Sequence, residues 1–186
     1  MITSILKRIC IPYRVSEPRE ASDTQPVLVL TTRHERDLIK HPHVLCVEDL
    51  EGDSILPLAS IYSSLYGEIS EIVVGIDPGS RIGVVICSQK GEIESQVMRS
   101  VDEVILRVSQ WVSISTARRK IVRIGNGDND MAYAIAGGLA VRLGDRVNIE
   151  IVDEHGTSTA SRPNRRGFRD VQSARIIAFR EGRPLL

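Results

Sequence analysis

The sequence predicts an α/β protein in two parts: a small amino-terminal α/β unit over residues 1–70, and a larger domain over 71–186 built on a five-stranded mixed sheet. Three observations predict it. Short β-branched runs bounded by Gly, Pro, Asn and Asp recur along the chain. Three of these runs, beginning at residue 71, are separated only by tight turns, the spacing of antiparallel hairpins. After residue 100 the runs alternate with stretches of helical period, the spacing of crossover connections. With 186 residues and a hydrophobic content of 42%, the chain can fill one ordinary core and a small appendage.

The elements follow in order. Residues 14–26, "RVSEPREASDTQP", are polar, carry two prolines and read as a flexible linker or exposed loop. "VLVLTT" is expected as a short buried strand, "RHERDLIK" as a short helix and "HVLCVEDL" as a second strand. In "SILPLASIYSSLYG", Ile55, Leu58, Ile61, Tyr62 and Leu65 fall at helical spacing, with Gly67 as the stop. From residue 71, "EIVVGID", "RIGVVICSQ" and "EIESQVMRS" form a meander across Pro78-Gly79 and Lys90-Gly91. A helix over about 101–115 buries Val104, Val108, Trp111 and Val112. "KIVRIGN" is the fourth strand. "NDMAYAIAGGLAVRLG" is a helix stopped by Gly144, "VNIEIVDE" is the fifth strand, and "RDVQSARIIAFREG" is a final helix ending at Gly182. The order is β-β-β-α-β-α-β-α, with the first strand central, parallel to the fourth and fifth, and helices on both faces.

Composition excludes several classes. No apolar run approaches the ~20 residues of a membrane span, and the first residues are too interrupted for a signal peptide. Cys10, Cys46 and Cys87 are odd in number and scattered, which suits a reducing cytoplasm and argues against a disulfide framework or a zinc site. The 24 Lys/Arg balance the 24 Asp/Glu, but unevenly: residues 1–116 are net acidic and residues 117–186 net basic. The basic residues are mostly arginine, the better side chain for bidentate phosphate contact.

The chemistry starts at "VVGIDPGSRIGVVI". Asp77 ends a strand that reads as buried, and a buried unpaired carboxylate costs several kcal/mol or more. Either a partner or a cation must offset that cost, unless Asp77 merely opens a turn at "DPG". Gly75 and Gly79 leave room for a close approach of backbone or phosphate. A second acid stands at the exit of the fifth strand, where alternation puts Glu154 with Glu150 and Val152 on one face and Asp153 on the other. The third is Asp170, which shares a helix face with Ala174, Ile177 and Ala178; the two alanines let that helix press on the sheet and bring Asp170 near Asp77. Solvated strand-end acids and a helix-dipole role for Asp170 are the simpler readings. Oxygen ligands alone indicate Mg²⁺ or Mn²⁺. Between the second and third acids, Arg162, Arg165, Arg166 and Arg169 form a basic loop suited to nucleic-acid backbone phosphates; Phe168 either stacks on a base or anchors the loop in the core. "GDND", with Asp128 and Asp130, reads as a helix cap. His34, His41 and His43 read as surface residues.

Three segments in this order, "GIDPGSRIGVV", "IVDEHGTSTA" and "RDVQSARIIAF", resemble the RuvC/YqgF group of Holliday-junction resolvase-like proteins within the ribonuclease H-like superfamily. The likeness spans about 110 residues and omits the first 70. It implies a metal-dependent nuclease of DNA recombination and repair, with Asp77, Glu154 and Asp170 as catalytic metal ligands and Asp153 as the reserve ligand. It further implies Thr157 and Ser158 as phosphate contacts beside the arginines, and a structured DNA or RNA substrate. A homodimer formed through the amino-terminal unit would suit a two-fold junction, although no residue of that unit carries a signature for it. Two features depart from the resolvases proper. The fourth strand ends in Gly125-Asn126-Gly127 rather than Glu, and position 173 is Ser rather than an acid. His155 also replaces the Arg expected of the YqgF pattern. A non-catalytic nucleic-acid-binding factor that keeps the fold is therefore the alternative. A nucleotide-binding ATPase of the actin-like type, which needs two such domains, does not fit this length.

Overall fold

Short parallel pairing organises the first part of the chain and a long meander the second. The computed structural model describes residues 6, 11–20, 26–50, 56–154 and 166–185. The chain divides into two units, Met1–Glu68 and Ile69–Leu186.

In the first unit, β1 (Val29–Thr31) pairs in parallel with β2 (Val44–Cys46). The helix expected between them is only a 3-10 turn at Arg36–Leu38. Thr31 and Thr32 hydroxyls donate to the Glu35 carboxylate (3.0 Å each), an alternative to a longer helix, and Pro42 disfavours helical backbone just before it. The helix α1 (Leu56–Tyr66) places Ile61 against Leu6, Ile11, Leu28, Leu30, Leu45 and Leu65. Gly67 stops it with φ +74°. Ile55 lies outside the described residues.

The second unit holds β3 (Glu71–Asp77), β4 (Ile82–Ser88), β5 (Gly91–Met98), α2 (Val101–Ile114), β6 (Arg119–Gly125), α3 (Asn129–Leu143), β7 (Asn148–Val152), α4 (Arg166–Phe179) and β8 (Arg183–Pro184). Its mixed sheet runs β5-β4-β3-β6-β7-β8. The meander β3-β4-β5 is antiparallel, while β3, β6 and β7 are parallel to one another. Six strands, not five, make the sheet: β8 adds antiparallel to β7, with Glu150 opposite Pro184 and Ile151 opposite Arg183. Two residues are too few to show any period, and Pro184 sits on an edge strand, where its missing N–H costs least.

Side chains alternate across a strand, so the register divides the sheet into two faces. Val74, Ile76, Val84, Ile86, Val122 and Ile124 share one face and are 0–2% exposed. They pack with α2 and α3, whose Val104, Val108, Trp111, Val112, Ala132, Ile135, Ala136 and Leu139 are buried. The opposite face carries Gly75, Asp77, Gly83, Val85, Cys87, Arg123 and Gly125, and α4 lies across it on β3, β4 and β6. Ala174, Ile177 and Ala178 form its buried stripe, as their spacing implies.

Caps set the helix ends. Ser100 accepts from Glu103 N–H (3.2 Å) while the Glu103 carboxylate accepts from Arg99 N–H (2.9 Å). Asp128 caps α3 by accepting from Met131 N–H (3.0 Å), the cap that "GDND" implies. The last helix starts three residues earlier than the sequence suggests, at Arg166, and ends at Phe179. Arg166 and Arg169 therefore belong to its first turn and not to a loop. Arginine is a good helix former, and Gly167 does not interrupt the turn. No helix among the described residues is long and apolar enough to cross a membrane.

Candidate functional site

The site is built on one end of the α4-covered face. Asp77 is the last residue of β3, a central strand with β4 on one side and β6 on the other. Glycines in β3 and β4 let α4 lie against the strands themselves. A Cβ at Gly75 would stand 2.0 Å from the Ala174 carbonyl oxygen and 2.7 Å from Ala178 Cβ; one at Gly83 would stand 2.0 Å from the Asp170 carbonyl oxygen. Both distances are forbidden to real side chains, so these two glycines fix how deep α4 sits and where Asp170 begins. The approach at Gly75 is thus by helix backbone and not by phosphate. Gly79 has only an ordinary contact, 3.5 Å to the Arg81 carbonyl oxygen.

Glu154 arrives from the exit of β7 and is held by the turn that follows β6. Gly127 N–H donates to Glu154 Oε1 (3.1 Å), and Glu154 N–H donates to Asn126 Oδ1 (3.0 Å). Asn126 N–H in turn donates to the Val152 carbonyl (3.0 Å). A Cβ at Gly125 would meet Glu154 Oε1 at 1.8 Å, and one at Gly127 would meet Oε2 at 3.0 Å. Gly125-Asn126-Gly127, which as sequence looked like a missing acid, is a cradle whose empty Cβ positions the Glu154 carboxylate fills.

Electrostatics tie the three acids together. Burial, then the charge of Glu154, then that of Asp170, push the Asp77 carboxyl up to about 7, against a hydrogen bond with Ser173 that lowers it. Asp170 is the fifth residue of α4, past the first turn where a helix dipole acts. Its Oδ2 is buried and lies 3.0 Å from Arg81 Nη2, an ion pair by distance. Yet that oxygen accepts no aligned hydrogen bond.

The three carboxylates share a field but are not gathered around one point. Among the described residues no group of three His, Cys, Asp or Glu side chains is close enough to hold a metal ion, which corrects the expectation of a ready three-ligand cluster. Each acid is instead drawn to its own partner: Asp77 to Ser173, Glu154 to the Gly127 amide, Asp170 to Arg81.

The remaining candidates are dispersed. Asp153 is exposed, and its carbonyl accepts from Arg180 Nη1 (3.1 Å). Arg169 is exposed, and so is Phe168 at 60%, so Phe168 does not anchor a loop in the core. Arg166 opens α4. Thr157, Ser158, Arg162, Arg165 and His155 lie outside the described residues. Arg81 escapes sequence reasoning although it stands four residues after Asp77. Its placement at the same end of the β3-β4 hairpin is the signal that could have found it, because a two-stranded turn returns residues 77 and 81 to one edge.

No protein-family model matches the chain, and no curated protein does. Among solved structures it is similar to Thermus thermophilus RuvC, at 17% identity and a TM-score of 0.38, over 61% of this chain and 99% of that one.

Proposed function

We propose that residues 71–186 form a metal-dependent nuclease domain of the ribonuclease H-like type, related to the RuvC/YqgF group, that hydrolyses phosphodiester bonds in structured DNA or RNA. The observation that carries this reading is the coupling of Asp77, Glu154 and Asp170, delivered by three separate elements to one end of a mixed sheet. A meander followed by two parallel strands, with the first strand central, is the strand arrangement of that fold type.

The donor set suits a hard cation. It is oxygen-only, the charges of Glu154 and Asp170 raise the proton affinity of Asp77, and Asp170 Oδ2 is buried with no aligned donor. Asp77, Glu154 and Asp170 would hold Mg²⁺ or Mn²⁺, with Asp153 in reserve; when bound, such an ion supplies Lewis-acid chemistry for phosphodiester hydrolysis. Arg162, Arg165, Arg166 and Arg169, with Thr157 and Ser158, would contact backbone phosphates, which gives affinity without sequence preference.

A second reading is a nucleic-acid-binding factor without catalysis. The absence of a three-acid cluster among the described residues and the Ser at position 173 favour it. The discriminating experiment is cleavage of branched DNA, single strands and RNA in Mn²⁺ by the wild type and by Asp77→Asn. Cleavage by the wild type that falls by at least a hundredfold (~3 kcal/mol of lost barrier reduction) in Asp77→Asn supports the nuclease. Binding without cleavage in both proteins supports the second reading.

A further inference from the structure

Arg81 has a combination of properties that a permanent ion pair does not need. Its Nη2 stands 3.0 Å from Asp170 Oδ2. That oxygen is nevertheless buried without an aligned hydrogen bond. A structural arginine–carboxylate pair usually closes with two parallel, well-aligned bonds; this one holds by charge and proximity. The two partners also differ in freedom. The Asp170 backbone is pinned, because its carbonyl oxygen lies where a Cβ of residue 83 would be. The Arg81 side chain springs from the turn before β4 and is 39% exposed, against 22% for Asp170. The guanidinium can therefore withdraw into water at small cost, whereas Asp170 cannot follow it. A buried carboxylate oxygen left behind needs another cation.

We propose that Arg81 is an exchangeable counter-ion of Asp170. It neutralises that carboxylate in the metal-free protein and competes with a divalent cation for it. Displaced to the rim of the site, the guanidinium is free to take a substrate phosphate, the anion its planar fork fits. The inference rests on the metal-dependent reading above and adds to it a regulation of the same site: the protein carries its own weak competitor, so cation and phosphate bind together better than either alone.

The test is Mn²⁺ binding to the full chain without nucleic acid, by calorimetry and by the rise in melting temperature, for wild type, Arg81→Gln and Arg81→Lys. Competition predicts that Arg81→Gln binds Mn²⁺ more tightly than wild type, by about fivefold for a partly exposed pair, while melting lower in the absence of metal. Arg81→Lys, which keeps the charge but loses the fork, should fall between them and guards against a folding defect in the glutamine variant. Equal or weaker Mn²⁺ affinity in Arg81→Gln overturns the exchange and makes Arg81 an orienting partner of Asp170, with the metal reading intact. No Mn²⁺ binding by any of the three proteins overturns both.

Discussion

Two glycines at the site illustrate how one missing methyl can serve either chemistry or packing. A Cβ at Gly125 would collide at 1.8 Å with the far end of the Glu154 side chain, which can swing away, and at 2.7 Å with Ile177 Cδ1. Gly125→Ala should thus fold with a melting temperature near that of wild type but lose most of its Mn²⁺-induced stabilisation, measured by thermal melts with and without metal. A Cβ at Gly83 meets the Asp170 backbone instead, at 2.0 Å. Backbone cannot rotate aside, so Gly83→Ala should destabilise the metal-free protein by about 1–3 kcal/mol, the usual cost of overpacking, in denaturant unfolding. The same substitution at two neighbouring places separates a defect of the site from a defect of the fold.

At the scale of elements, α2 is fastened to the sheet by a buried charge. Glu94 of β5 is 3% exposed. Its carboxylate accepts from Trp111 Nε1 (2.6 Å), Arg107 Nε (3.2 Å), Arg107 Nη2 and Gln96 Nε2. Trp111→Phe keeps an aromatic ring but removes the indole N–H donor and part of the buried ring, with an expected cost of about 1–3 kcal/mol for the lost donor. Arg107→Met removes the counter-charge and should cost more, about 3–5 kcal/mol, because it leaves the carboxylate uncompensated. Urea unfolding of both variants checks the order; a Trp111→Phe cost above that of Arg107→Met would mean that packing, not charge, dominates at this contact. On the other face, Arg123 bridges sheet and helix, donating from Nε to Glu150 (2.8 Å) and from Nη1 to the Ala178 carbonyl (2.8 Å). Gly182 N–H also reaches Glu150 (3.3 Å), which ties the chain end after α4 to β7.

For the whole molecule, the raised Asp77 carboxyl sets a pH dependence. Folded, it holds its proton up to about 7, against a value of 3.8 for the unconstrained side chain. Between those values the folded state binds more protons than the unfolded one, so stability falls as pH rises through this window and levels off above it. Asp77→Asn removes the titrating group. Its melting temperature should therefore change less than that of wild type between pH 5 and pH 8, without metal, and should exceed that of wild type at pH 8. Equal pH slopes in the two proteins would show that Asp77 is not held in a field of buried acids. A saturating divalent cation holds Asp77 deprotonated in the folded state and should flatten the wild-type slope over this window, since only the deprotonated site binds it.

Local pattern alone determined five strands and three helices of the second unit and their sense. Hairpin turns at Pro78-Gly79 and Lys90-Gly91 can only make a meander, and the stripe of Ala174, Ile177 and Ala178 can only bury itself against a sheet, because period and turn chemistry are properties of neighbours in the chain. The positions of Asp77 and Glu154 at strand exits, and of Asp170 on the helix face it shares with Ala174, Ile177 and Ala178, were visible for the same reason. Tertiary structure decided everything that depends on partners distant in sequence. Gly125 and Gly127 make room for Glu154, Gly83 for the backbone of Asp170, and Arg81 pairs across to α4. The two-residue β8 forms only because β7 offers it an edge. A glycine in sequence records the absence of a side chain; only the folded chain supplies the atom that takes its place, and steric exclusion between remote segments has no period to read.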